Sequence, residues 1–129
     1  MKIVKISAGA KFEVKEIESG YEAMQAEISG IITTGIISHV LRDCGIVMYA
    51  DDEGILKNRE ITAVVVDKNY NVQQTLCGPL VFVGDDGMGG DKDLTDDQIA
   101  LIKATLQKAI IGKMGSDETF EIFVVRSDY

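Results

Sequence analysis

With 129 residues, of which 46% are hydrophobic and 26% charged, the chain has the size and composition of one globular domain, 1–129. Its 21 acidic residues against 13 Lys plus Arg give a formal net charge of -8. This charge argues against a protein that coats nucleic acid or binds anionic membranes, because both need a basic face. An ordinary soluble protein and an acidic surface that meets a basic partner both stay open.

The N-terminal residues have no apolar core of the kind found in signal peptides, and no run approaches the ~20 apolar residues of a membrane span. In such a chain Cys44 and Cys77 are expected to be reduced thiols rather than a disulfide. We therefore expect a cytoplasmic protein.

The first half of the chain is predicted to hold four strands and one helix. Alternating or β-branched apolar runs predict the strands at Lys2–Ile6, Phe12–Ile17, Ile31–Leu41 and Ile46–Ala50. Ser19 and Glu22 have the spacing of a capping box, which predicts the start of the helix. Gly30 is expected to end that helix in the left-handed conformation.

The second half of the chain is also predicted to hold four strands and one helix. Strands are predicted at Ile61–Val66, Val72–Leu76, Leu80–Val83 and Phe120–Val124, with Asn69 at positive φ in the turn after the first of them. Thr95 and Gln98 form a second capping box and predict a helix that runs to Gly112. The order of elements predicts an α+β fold, with a mixed, mostly antiparallel sheet and two helices packed on one side.

No stretch matches a catalytic or metal-binding motif. His39 is interpreted as a structural histidine within a strand. The acidic loop from Asp85 to Asp97 lacks the glycine and glutamate spacing of a calcium loop, and its aspartates would repel a phosphate. We therefore predict a protein that is not an enzyme and that has no cofactor and no metal site.

The densest group of potential ligand contacts lies between two predicted strands, at Asp51–Glu60. Arg59 beside Asn58 can bind a phosphate or carboxylate through its planar guanidinium group. The alternative is a surface ion pair between Arg59 and a neighbouring acid, Asp51, Asp52 or Glu53.

Several short segments, Asp52-Glu53-Gly54, Asn58-Arg59, the strand with Gly78 and the helix start at Leu94-Thr95, resemble a family catalogued as domain of unknown function 3846. The resemblance covers roughly 1–107. The family pattern usually has Gly-Gly after the first helix, where this chain has Ser29-Gly30. The family is common in phages, prophages and plasmids of Gram-positive bacteria, which implies an accessory gene of a mobile element acting in the host cytosol. No activity, and so no catalytic residue, comes with the resemblance.

The first functional hypothesis is a non-enzymatic counter-defence protein that sequesters a small nucleotide-like immune signal. Its ligand-binding residues are expected to be Asp52, Glu53, Asn58, Arg59 and Phe82, with the Phe82 ring stacked on a base. Because such sites often form between subunits, a homo-oligomer is expected. The alternative is an acidic decoy that inhibits a basic nucleic-acid-binding defence protein, of the anti-CRISPR or anti-restriction type. A nucleotide hydrolase that uses His39 is a third, less favoured hypothesis.

Overall fold

The computed structural model describes residues 1–35, 38–112 and 115–128. Within them the chain forms α1 (Tyr21–Ile28), α2 (His39–Asp43) and α3 (Asp96–Thr105). The strands are β1 (Lys2–Ser7), β2 (Lys11–Glu16), β3 (Ile32–Gly35), β4 (Ile46–Asp51), β5 (Ile61–Val66), β6 (Val72–Cys77), β7 (Leu80–Asp85), β8 (Asp91–Lys92), β9 (Gln107–Gly112) and β10 (Thr119–Arg126). Among the described residues, no helix is long and apolar enough to span a membrane.

The strands divide between two sheets. One has the order β2-β1-β7-β4-β3, with β8 paired to β7, and the other has the order β6-β5-β10-β9. The β5 and β10 strands run parallel, with Phe123 beside Ala63, and the other pairs are antiparallel. The mixed, mostly antiparallel α+β class is confirmed, although the predicted single sheet is in fact two.

The six-stranded sheet is covered on both faces. On one face Phe82 belongs to a core with Val125 of the second sheet and Ile102 of α3. On the opposite face Val81 packs with Ile28 of α1. The expectation that both predicted helices lie on one side was therefore wrong. Since β7 is apolar at successive positions, its two faces each need a covering layer.

The helix start at Thr95 was predicted correctly. The Gln98 amide donates to the Thr95 hydroxyl at 3.1 Å, and the Gln98 side chain accepts from the Thr95 amide at 3.0 Å. The helix ends at Thr105, however, and the residues predicted as its last turns form β9. Six consecutive residues of β9 pair with residues of β10 and so form a strand, although the spacing of Leu106 and Ile110 favours a helix.

The first helix begins without a side-chain cap, so the predicted Ser19 capping box is absent. Gly20 occupies the N-cap position, and Ser29 rather than Gly30 is left-handed, with φ 57. The turn after β5 departs similarly from its prediction, since Tyr70 rather than Asn69 has positive φ. There the Asp67 carboxylate accepts from the Asn69 amide at 2.8 Å and holds it in the turn.

The predicted strand Ile31–Leu41 is correct only at β3. Ile36 and Ile37 lie outside the described residues, and α2 follows. Ser38 caps α2 by accepting from the Leu41 amide at 3.4 Å, which favours a helix where a strand was expected. His39 is consequently exposed on a helix rather than held within a strand. Cys44 is exposed and Cys77 is partly buried, and the two thiols are not joined in a disulfide.

Candidate functional site

A buried aspartate at the end of β4 gathers two cations from the loop that follows. The side chain of Asp51 is 0% exposed, and its Oδ2 lies 2.8 Å from Arg59 Nη1 and 3.1 Å from Lys57 Nζ. Its Oδ1 accepts from the Glu53 amide at 3.0 Å. We refer to Asp51, Lys57 and Arg59 as the Asp51 cluster. These contacts hold the loop 52–60 against Asp51 at the end of β4.

Arg59 also joins this loop to the first helix. The same Nη1 donates to the carbonyl oxygen of Ile28 at 2.8 Å, at the C-terminal end of α1. A cation is favoured there because the last carbonyl groups of a helix lack intrahelical partners and carry partial negative charge. Arg59 therefore ties together α1, β4 and the loop, and the ion pair weighed in the sequence is formed with Asp51.

The Asp51 carboxylate is held in its charged form. Burial alone would raise its pKa, but the Glu53 amide, Arg59 and Lys57 together outweigh burial and lower the pKa to about 2. The group is therefore an anion throughout the physiological range, and its charge is compensated from within the chain.

Two glycines near this cluster allow close packing of the backbone, Gly30 against Asp51 and Gly54 against Cys77. A Cβ on Gly30 would lie 2.4 Å from the Asp51 Cγ atom, and one on Gly54 would lie 2.4 Å from the carbonyl oxygen of Cys77. Neither position has room for a side chain. The glycine after α1 is thus needed for the close contact with Asp51.

The five predicted ligand-binding residues do not form one pocket. Asp52 is exposed and lines a small cavity of about 180 Å³, while Glu53 is partly buried beside Asp51. Phe82 is 0% exposed in the core and lies behind the wall of a different cavity, of about 570 Å³, which neither Asn58 nor Arg59 lines. Only Asn58 and Arg59 share a concave surface.

That surface continues into a larger groove between the β1–β2 turn and the start of β10. The larger part has a volume of about 620 Å³ and the smaller part about 370 Å³, and the two share Ala8, Arg59 and Glu60. We call the combined surface the Arg59 groove. Its chemically distinctive side chains are Lys11, Asn58, Arg59, Glu60, Glu118 and Phe120.

The Arg59 groove combines an aromatic ring with charges of both signs. Phe120 is partly exposed, and Lys11 is exposed with no ion pair in the described part of the chain. Glu60 and Glu118 supply two carboxylates. Lys11 and Phe120 were missed in the sequence because they lie far apart in it, and only the packing of the β1–β2 turn beside β10 brings them together.

The family model of a domain of unknown function, DUF3846, matches residues 1–107. The chain belongs to the DUF3846 family. Two of the motifs on which the resemblance was based, Glu53-Gly54 and Asn58-Arg59, lie in the loop that the Asp51 cluster closes. The DUF3846 match ends at the first residue of β9, so the β9–β10 hairpin lies almost wholly outside it. Neither a curated protein nor a solved structure matches the chain.

The first part of the aspartate-rich segment, 85–92, belongs to the β7–β8 hairpin, and several of its carboxylates accept hydrogen bonds from within the chain. Asp86 accepts from the amides of Met88 at 2.7 Å and Gly90 at 2.9 Å. Asp91 accepts from the Tyr49 hydroxyl at 2.7 Å, and burial with this bond raises the pKa of Tyr49 to about 12. Among the described residues, no group of three or more His, Cys, Asp or Glu side chains is placed to hold a metal ion.

Proposed function

We propose that this DUF3846 protein is a non-enzymatic binding protein of a phage or other mobile element, which acts in counter-defence by sequestering a small nucleotide-like immune signal. The observation that carries the proposal is the Arg59 groove, in which Lys11, Phe120 and two carboxylates line a single cavity of about 620 Å³. Cavities of about 300–1,000 Å³ are typical of small-molecule sites.

The groove contains side chains that can contact the base and the phosphate of a nucleotide. The ring of Phe120 can stack on a base, which contributes about 1–3 kcal/mol per base in nucleic-acid complexes. Lys11 can pair with a phosphate, while Glu60 and Glu118 can accept from the amino groups of a base. Arg59, held by Asp51 and Ile28, is a fixed cation at the junction of the two parts of the groove. Phe120 thus replaces Phe82 as the stacking residue.

Native mass spectrometry tests this proposal directly. The purified chain is mixed with micromolar nucleoside monophosphates, cyclic mononucleotides and cyclic dinucleotides, one at a time. We expect one class to give a bound mass and to be recovered chemically unchanged. Absence of a bound mass for all three classes would contradict nucleotide capture. Recovery of a cleaved product would instead indicate a hydrolase, and a His39→Ala variant would then show whether the histidine is used.

Two variants locate the site. Phe120→Ala should weaken binding about tenfold, since an aromatic stacking contact is lost. Asp52→Ala serves as the control, because Asp52 lines a different cavity and should leave the affinity unchanged. Loss of binding in the control with retention in Phe120→Ala would place the ligand on the far side of the Asp51 cluster.

The alternative function, an acidic decoy for a basic defence protein, is supported by the β7–β8 hairpin. Met88 at its tip is 89% exposed between glycines and aspartates, so an apolar contact and negative charges are presented together. A basic nucleic-acid-binding surface is the chemical complement of such a hairpin. Binding to that partner should weaken steeply with added salt and should fall with Met88→Asp, whereas salt-independent recovery would exclude the decoy.

A further inference from the structure

A separate cavity lies on the face of the first sheet that packs against α1, between the start of that helix and the end of β4. Its volume is about 300 Å³, at the lower end of the range of small-molecule sites. We call it the Tyr21 cavity, and its distinctive side chains are Tyr21, Met24, Ile32, Tyr49 and Asp91. It shares no lining residue with the Arg59 groove, so a ligand bound here is independent of the nucleotide proposed there.

Two tyrosine rings line the Tyr21 cavity. Tyr21 is 62% exposed at the start of α1, and Tyr49 is partly buried on β4. The Tyr49 hydroxyl donates to Asp91 at 2.7 Å, which fixes this ring beside the carboxylate. The face of a tyrosine ring carries partial negative charge and attracts a cation. Among the described residues no lysine or arginine lies over either ring, whereas Lys103 lies over the ring of Phe12.

The charge of the cavity is also negative. Asp91 is exposed, and it forms no ion pair in the part of the chain that the structure describes. No described lysine or arginine lines the cavity. Met1 does line it, but its ammonium group is paired with Glu16 at 3.4 Å. The uncompensated charge of the lining is therefore that of a carboxylate, which favours a cationic ligand.

The apolar part of the lining suits methyl groups better than N–H groups. Met24 is 4% exposed, Ile32 is partly buried, and both belong to the apolar cluster beneath α1. A primary ammonium group has three donors, and a donor directed at such a surface would lose its water without a replacement. A quaternary ammonium group has no donor to satisfy, and its methyl groups can pack on the polarizable thioether of Met24.

We propose that the Tyr21 cavity binds a ligand with a quaternary ammonium head of the choline type. The methyl groups pack on Met24 and Ile32, the two tyrosine rings contact the charged head, and Asp91 neutralises it. Aromatic rings are the usual means by which proteins recognise quaternary ammonium groups.

Isothermal titration calorimetry of the full chain with three ligands of similar size tests the chemistry of the head. Choline has the quaternary ammonium group, ethanolamine has a primary ammonium group, and dimethylbutanol is the neutral carbon isostere of choline. We expect choline to bind at millimolar concentrations or below, and the other two to bind about tenfold more weakly. Absence of choline binding in the millimolar range would overturn the inference, as would equal or tighter binding of either comparison ligand.

Two variants test the position of the site. Tyr21→Leu and Asp91→Asn should each weaken choline binding about fivefold. Asparagine keeps an oxygen that can accept from Tyr49, so the circular dichroism spectrum should be unchanged. The matched controls are Tyr70→Leu, at a tyrosine that is 60% exposed, and Asp97→Asn, at an exposed position on α3. Choline binding that survives both cavity variants, or that is lost in either control, would place the ligand elsewhere and overturn the inference.

Sedimentation with phosphatidylcholine vesicles distinguishes the two sources of such a head. Choline binding without co-sedimentation identifies a free small molecule as the ligand, whereas co-sedimentation that free choline displaces identifies a lipid headgroup. Both results support recognition of the quaternary ammonium group. Co-sedimentation that choline does not displace would contradict it, because the contact with the vesicle would then lie outside the Tyr21 cavity.

Discussion

The Asp51 cluster and the Arg59 groove share one arginine, yet they differ in how their charges are used. In the cluster, the carboxylate of Asp51 is fully buried and every oxygen has a donor from the chain. In the groove, Lys11 has no ion pair among the described residues, and Phe120 is partly exposed. Satisfied charges hold a structure together, whereas unsatisfied groups in a concavity are available to a ligand. Substitutions in the two regions should therefore separate stability from binding.

The largest effect is expected from Asp51→Asn. Loss of the buried carboxylate removes the charged hydrogen bonds from Arg59 and Lys57, whose side chains are 22% and 40% exposed, and should cost about 2–3 kcal/mol of unfolding free energy. Urea denaturation followed by circular dichroism measures the loss. The adjacent Asp52→Asn, at an exposed position, should change stability by less than about 0.5 kcal/mol. Equal stabilities for the two variants would show that the cluster contributes little.

Gly30→Ala should have the next largest effect. The added methyl group would meet the Asp51 carboxylate at 2.4 Å, and overpacking of this kind costs about 1–3 kcal/mol. Gly112→Ala is the control, because a Cβ there meets no atom within 4 Å and the backbone needs no positive φ. Thermal melts should show a clear decrease for the first variant alone. A neutral Gly30→Ala would contradict the close packing of Ser29-Gly30 on Asp51.

Lowering the pH should remove the contribution of the Asp51 carboxylate to the stability of the fold. Its pKa is lowered from 3.8 to about 2 in the folded chain, so the folded state favours the ionised carboxylate. This stabilisation is fully present above the pKa of the unfolded state and is lost as the pH falls through the pKa of the folded state. The loss of unfolding free energy between pH ~5 and pH ~2 is about 2 kcal/mol. The slope of stability against pH in this window should be shallower for Asp51→Asn than for Asp52→Asn.

The smallest effect is expected at the helix cap, away from both regions. Thr95→Ala removes a complete capping box and should cost about 1 kcal/mol. Ser19→Ala, at the predicted box that is not formed, should be neutral. Neither change should alter ligand affinity. If Thr95→Ala abolished binding without loss of stability, the helix start and the neighbouring acidic hairpin would be the functional site instead of the Arg59 groove.

Local chemistry made much of the scaffold predictable from the sequence. The capping box at Thr95 and the alternating strands depend on neighbours in the chain, and both were identified. The β9 strand was mistaken for helix because only pairing with β10, which lies later in the sequence, decides its conformation. Likewise Asn58-Arg59 was recognised as a candidate pair, but Lys11 and Phe120 join it only through the contact between distant segments. Burial of Phe82 also depends on the second sheet, which was not foreseen.

A titration followed by two-dimensional nitrogen–proton NMR tests the separation of the two regions most directly. With the nucleotide class identified by mass spectrometry, backbone shifts should change at Ala8–Lys11 and Glu118–Phe120, the two walls of the Arg59 groove. Amides of the loop 52–54 and of the β7–β8 hairpin should stay in place. Shift changes concentrated in that loop or hairpin, with none along the groove walls, would contradict the assignment of the groove as the binding site.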